Sequence, residues 1–161
     1  MDGPRWLDER ESRVWRGVVE LQQGLFQELE RQMVRDSGLS AAEFTLLVPL
    51  SEAPDDVLRA RELGRAVGWE RSRLSHQVAR MEKRGLVARE ECSEDARGSM
   101  VRLTDAGRAA VVAAAPSHVE AVRRHFFDLL TDGELDVIGP ALRRVIDALP
   151  DQEGGGFPAA R

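Results

Sequence analysis

The segment Glu62-Leu-Gly-Arg-Ala-Val-Gly-Trp-Glu-Arg-Ser-Arg-Leu-Ser-His76 constrains this chain more than any other stretch, because its spacing suits two short helices joined by a tight turn. Leu63 and Val67 lie four apart, one above the other on a first helix. Gly64 carries no side chain, so a second helix can cross it closely. Gly68 supplies the turn, where positive φ is inexpensive only for glycine. Trp69 then follows as an apolar plug between the helices. The second helix is predicted from about Glu70 to Arg84, and at about 100° per residue Leu74, Val78 and Met81 point inward. Arg71, Ser72, Arg73, Ser75, His76 and Arg80 cover its outer side. That outer set is what a helix laid in a major groove needs. Arg and His donate to base-edge acceptors, and Ser meets bases or phosphates.

The charge distribution agrees. The whole chain carries −5, which by itself argues against a nucleic-acid partner. Between Arg59 and Arg89, however, nine Arg or Lys face three Glu, a local balance of +6 that leaves −11 for the remainder. A basic segment inside an acidic body is the footprint of one face meeting phosphates. The plainer reading, a solvated charged face, accounts for the charge but not for the turn beside it.

Gly85 is placed to end the second helix in a left-handed conformation. Leu86 to Cys92 and Ser99 to Thr104 then read as two short strands, with Val101 and Leu103 inward and Arg102 outward. Between them lies the polar hairpin Ser93-Glu-Asp-Ala-Arg-Gly98. Such a wing puts Arg97 where it can enter a minor groove, most negative over narrow A·T tracts. Asp95 repels phosphate, so its role is an ion pair that orients an arginine, either Arg97 or one on the second helix.

Amphipathic helices flank this unit. The first is predicted over about Asp8 to Asp36, with Val14, Val18, Leu21, Leu25, Leu29 and Met33 in one stripe. Ser40, with Glu43 three residues on, forms a capping box for a shorter helix bearing Phe44, Leu47 and Leu50. Thr104 caps a long later helix whose stripe reads Val112, Ala115, Val119, Val122, Phe126 and Leu129, with a kink expected at Pro116. Thr131 opens a last helix carrying Leu135, Ile138, Leu142, Val145 and Leu149. The divisions are then an N-terminal helix over 1–36, a winged helix-turn-helix over 40–104 and C-terminal helices over 105–149. In the winged unit the recognition helix takes about 70–84 and the wing about 87–103, and a flexible tail follows over 150–161. The fold class is mainly α with a small β element (α+β). Within one small subunit the terminal stripes have only each other to cover them, so the seam-like spacing favours a twofold homodimer over a closed intramolecular core.

The order of parts resembles the MarR family of bacterial regulators from about Arg10 to Leu149. The resemblance is carried by Arg73-Leu-Ser-His-Gln-Val-Ala-Arg-Met-Glu-Lys-Arg-Gly-Leu-Val87, by Asp95-Ala-Arg-Gly98 and by Leu103-Thr-Asp-Ala-Gly107. It implies a helical homodimer whose terminal helices form the interface and whose two winged heads read the halves of an inverted repeat in double-stranded DNA. Repression is the family's commoner mode. It also implies a small aromatic or anionic effector that binds between the dimer helices and the head and weakens DNA binding. Trp15 and Arg16, with His118, Arg123 and His125, are candidates to line that crevice; their plainer reading is ordinary packing and solvation. The family includes thiol-based sensors, but Cys92 stands among Glu90, Glu91 and Glu94, which disfavour a thiolate.

Other functions fare worse. A phosphate-binding glycine loop, a His-Glu-x-x-His pair and a Cys-His pair are all missing from the sequence, so neither an enzyme nor a cofactor is called for. One cysteine excludes a Cys-based zinc site and an intrachain disulfide, consistent with a reducing cytoplasm. No apolar run approaches the ~18–20 residues of a membrane span, and the polar, charged N-terminus is unlike a signal peptide. The remaining alternative is a winged-helix module that binds DNA or protein without an effector.

Overall fold

In the computed structural model, which describes residues 3–91 and 99–150, helices carry most of the chain and a small antiparallel sheet stands beside the helix-turn-helix. Helix α1 spans Glu9–Ser37, and Asp8 and Glu11 cap each other's backbone at its start. It ends where Gly38 turns left-handed at φ 69° and donates its N–H back to the Val34 carbonyl. Helix α2, Ala41–Glu52, begins with the expected Ser40–Glu43 box and is apolar nearly all round, as a helix at the centre of a core must be. Leu46, Leu47 and Leu50 are fully buried there.

Strand β1, Val57–Arg59, leads into α3 (Ala60–Ala66) and α4 (Arg71–Lys83). Strands β2, Val87–Glu91, and β3, Ser99–Leu103, follow. The sheet order is β1-β3-β2, with Leu58 opposite Val101 and Arg89 opposite Val101 from the other side. Val101 and Leu103 face the core and Arg102 faces outward to pair with Glu90, as the alternation predicts. The third strand was not expected. Val57–Arg59 is too short to show a period and becomes a strand only by pairing with β3.

Helix α5, Asp105–His125, is capped by Thr104, and α6 runs from Asp132 to Asp147 behind a Thr131–Glu134 capping box. Pro116 sits inside α5, which continues through it. Two expectations for α5 need correction. The helix stops at His125, and Phe127–Leu129 form a separate 3-10 turn. The face turned to the chain's own core is Val111, Ala114 and Ala121 with Gly107, not the larger stripe. Val112 and Val119, from the predicted stripe, are 62% and 53% exposed. Small residues let α1 lie close along α5, so side-chain size selected the inner face.

The core is continuous from Met33 and Leu39 through α2, Leu63, Leu74, Val78 and Met81 to Val101, Leu103 and Val111. It covers the head and the lower part of α1. The upper stripe, Val14, Val18 and Leu21, is exposed, and none of the residues of α6 is buried.

Candidate nucleic-acid interface

Helices α3 and α4 meet across a turn built as the sequence implies. Gly68 has φ +66°, and a Cβ placed on Gly64 would lie 3.2 Å from the Trp69 carbonyl oxygen and 3.4 Å from Leu74 Cδ2. A side chain there would push the helices apart. Leu74, Val78 and Met81 bury the inner face of α4, while Arg71, Ser72, Arg73, Ser75, His76 and Arg80 all stand exposed on its outer side. Trp69 is half-buried against the core and offers its outer face to Arg73, whose guanidinium carbon lies 4.1 Å from the ring centroid. The contact is a cation–π stack that holds one arginine of the outer row in place.

The start of α4 is electrostatically unusual. Its N-cap residue, Glu70, makes no side-chain capping bond, and the first turn holds Arg71 and Arg73 and no acid. Positive charge at the positive end of a helix is unfavourable, and an anion placed there relieves it. Among the described residues, Arg71, Arg73, Arg80 and Lys83 pair with no carboxylate.

Two other cations of the basic segment have internal work, which the charge count could not reveal. Arg84 donates to both Glu43 oxygens at 2.6 Å and to the Gly38 carbonyl at 3.1 Å. Arg89, on β2, donates to the Ser75 carbonyl at 2.8 Å, and its backbone N–H donates to Glu82. Arg89 therefore ties the wing strand to the middle of α4. Burial raises the Glu43 carboxyl, but the Ser40 N–H, Arg84 and the Ser40 hydroxyl outweigh it and hold the group below its ordinary 4.5. Asp95 and Arg97, the wing residues, and Cys92 lie outside the described residues.

The candidates for an effector crevice occupy different surroundings. Trp15 and Arg16 are exposed on the upper part of α1. Arg123 is exposed and lies 3.9 Å from Asp128. His118 differs: it is half-buried, its ring packs 4.8 Å from Phe44 of α2, and its Nδ1 has no partner. His125 is half-buried at the last residue of α5. An open groove of about 500 Å³ on α1, lined by Gln27, Glu30, Arg31, Val34 and Arg35, includes none of them. No group of His, Cys, Asp and Glu suited to a metal ion occurs among the described residues, and no described helix is long and apolar enough to cross a membrane.

Comparison with known proteins agrees with this arrangement. A family profile described as MarR family matches residues 37–98. The chain is 42% identical to Sco3205, a MarR family transcriptional regulator from Streptomyces coelicolor solved in complex with DNA. That likeness has a TM-score of 0.85 and covers 96% of each chain. It is 39% identical to AbsC, a MarR family transcriptional regulator from the same organism, with a TM-score of 0.84, covering 89% of this chain and 97% of that one. The PcaV transcriptional regulator of Streptomyces coelicolor, solved in complex with its natural ligand, is 27% identical, with a TM-score of 0.71 over 90% of this chain and 99% of that one. No curated protein matches the chain.

Proposed function

The chain belongs to the MarR family of transcriptional regulators, proteins that are not enzymes, and from that premise we propose that it is a cytoplasmic homodimeric repressor. It reads an inverted-repeat operator and releases it when a small molecule binds. The observation that carries DNA reading is the outer face of α4: an exposed row of Arg, Ser and His on a helix whose first turn holds two arginines and no acid. Phosphates supply the missing negative charge, and Ser75, His76 and Arg80 meet base edges in the major groove. The DNA complex of Sco3205 supports the reading.

Homodimerisation follows from the exposed apolar faces of α1, α5 and α6, which a single copy leaves in water. A second copy covers them by symmetry and places two α4 helices for two half-sites. Release by a small molecule is supported by the natural-ligand complex of PcaV and by His118, a half-buried ring with an unmet nitrogen between α5 and α2. Trp15, Arg16 and Arg123 complete the proposed ligand set.

Selection of bound duplexes from a random pool tests the central reading. The expected winner is an inverted repeat, bound with an affinity that falls steeply as salt rises. A protein that retains no duplex at low salt is not a DNA-reading regulator.

A further inference from the structure

One carboxylate and one guanidinium join three helix ends. Glu43 is 4% exposed and accepts from the Ser40 N–H at 2.9 Å, from the Ser40 hydroxyl at 3.0 Å and twice from Arg84 at 2.6 Å. Arg84 is the C-cap residue of α4, and its other terminal nitrogen reaches the carbonyl of Gly38, the C-cap of α1. The end of α1, the start of α2 and the end of α4 are therefore held by one hydrogen-bonded ion pair. The opposite side of the same turn is closed as well. Thr104 donates from its hydroxyl to the Gly85 carbonyl at 2.6 Å and from its N–H to the Leu86 carbonyl at 3.2 Å. Gly107 presses so close that a Cβ there would lie 2.0 Å from the Leu86 oxygen. The last turn of α4 is thus clamped between the α1–α2 corner and the start of α5.

A buried carboxylate needs its partner, because removing the guanidinium leaves an uncompensated charge in a site that water reaches poorly. Arg84 turns both terminal nitrogens to Glu43 and Gly38, whereas Arg71, Arg73 and Arg80 pair with no carboxylate among the described residues. We propose that Glu43 and Arg84 are positioning residues for DNA recognition. The pair fixes the angle of α4 to the α1–α2 corner, and through it the distance between the two reading helices of a dimer and the half-site spacing the protein accepts. The proposal rests on the DNA-reading function above.

Full-length Arg84→Met, Arg84→Lys and Glu43→Gln proteins test it. Spin labels on Gln22→Cys of α1 and Ser72→Cys of α4, in a Cys92→Ser background and diluted with excess unlabelled chain, report the angle without DNA. Arg84→Met should broaden that distance distribution. For duplexes selected by the unsubstituted protein, its affinity should fall about tenfold at the best half-site spacing, an ordinary coupling magnitude. Affinity for duplexes with a base pair added or removed should change little. Arg84→Lys keeps the charge but not the forked geometry and should fall between; it and Glu43→Gln carry the test if Arg84→Met does not fold. Unchanged label distances overturn the proposal, as does an equal affinity loss at every spacing. If the unsubstituted protein selects no duplex, the DNA reading fails, and with it the claim on spacing, while the label distances still decide whether the joint exists.

Discussion

Helices α4 and α6 are 13 and 16 residues long, and both divide sharply by face, yet they are incomplete in opposite ways. In α4 the apolar side is satisfied: Leu74, Val78 and Met81 are buried in the chain's own core. Its first turn holds Arg71 and Arg73 and no acid, and the side chain of its N-cap residue, Glu70, makes no capping bond. In α6 the electrostatics are satisfied. Thr131 and Glu134 cap the start, Asp132 sits in the first turn and Arg144 in the last. Its apolar side is not, and Leu142, Val145 and Ile146 are 52%, 62% and 50% exposed. One helix is missing an anion and the other an apolar surface. On the proposed function the first deficit is met by duplex DNA and the second by another copy of the chain, so the two ends of the molecule should respond to different perturbations.

The largest effect is expected from breaking the apolar side. Leu142→Glu with Val145→Glu should convert a dimer to a monomer in sedimentation velocity and weaken operator binding about 10²-fold or more, because two linked heads gain avidity of that order. A doubly substituted protein that remains dimeric would move the seam elsewhere. Salt separates the two ends next. A dimer that neutralises six or more phosphates should lose about 10³ in affinity between about 50 and 200 mM salt. Arg71→Ala and Arg73→Ala should each flatten the slope by about one unit per lost phosphate contact. The dimer should hold over the same range; a dimer that dissociates as fast as the DNA complex would erase the contrast. Smaller still is the change from His76→Ala or Ser75→Ala, about 1–3 kcal/mol of preference at single base positions. Selection with either variant that returns the parent motif would exclude direct reading by that residue.

The parts of this comparison legible in the sequence are those set by neighbours a few residues apart. The faces of α4, the turn at Gly68 and the caps at Ser40, Thr104 and Thr131 follow from local spacing, and the structure has each of them. What was misread depends on distant partners. Strand β1 exists because Val57–Arg59 pairs with β3, more than forty residues on. The core-facing side of α5 was chosen by how closely α1 approaches, so Ala114 and Ala121 won over Val112 and Val119, although periodicity favours the larger residues. Arg84 and Arg89 were counted toward the phosphate footprint. Their partners, Glu43 and the Ser75 carbonyl, lie 41 and 14 residues away. Glu43 was read only as half of a capping box, and its burial, which makes Arg84 necessary, leaves no mark in a single sequence.

The smallest prediction concerns the contact between α5 and α2. His118 of α5 packs on Phe44 of α2, and burial pushes its pKa below the ordinary 6.5. A histidine whose folded pKa is depressed binds its proton more readily in the unfolded chain. Its contribution to stability is therefore complete above about pH 6.5 and is lost as pH falls from there through the folded pKa. Glu43 has the same sign of linkage at lower pH: its carboxyl is held below the ordinary 4.5, and its contribution is lost only as pH falls through that range. The His118 window opens at higher pH than the Glu43 window, so acid unfolding of the variants can separate them. The melting temperature should begin to drop as pH falls below about 6.5 in the unsubstituted protein and drop less in His118→Leu, while Glu43→Gln should keep that first drop and lose part of the one below about pH 4.5. The effect is modest, since His118 is only half-buried and solvent screens it. If His118→Leu is as acid-sensitive as its parent between pH 6.5 and 4.5, the proton goes elsewhere, and the α2–α5 contact is not where pH acts.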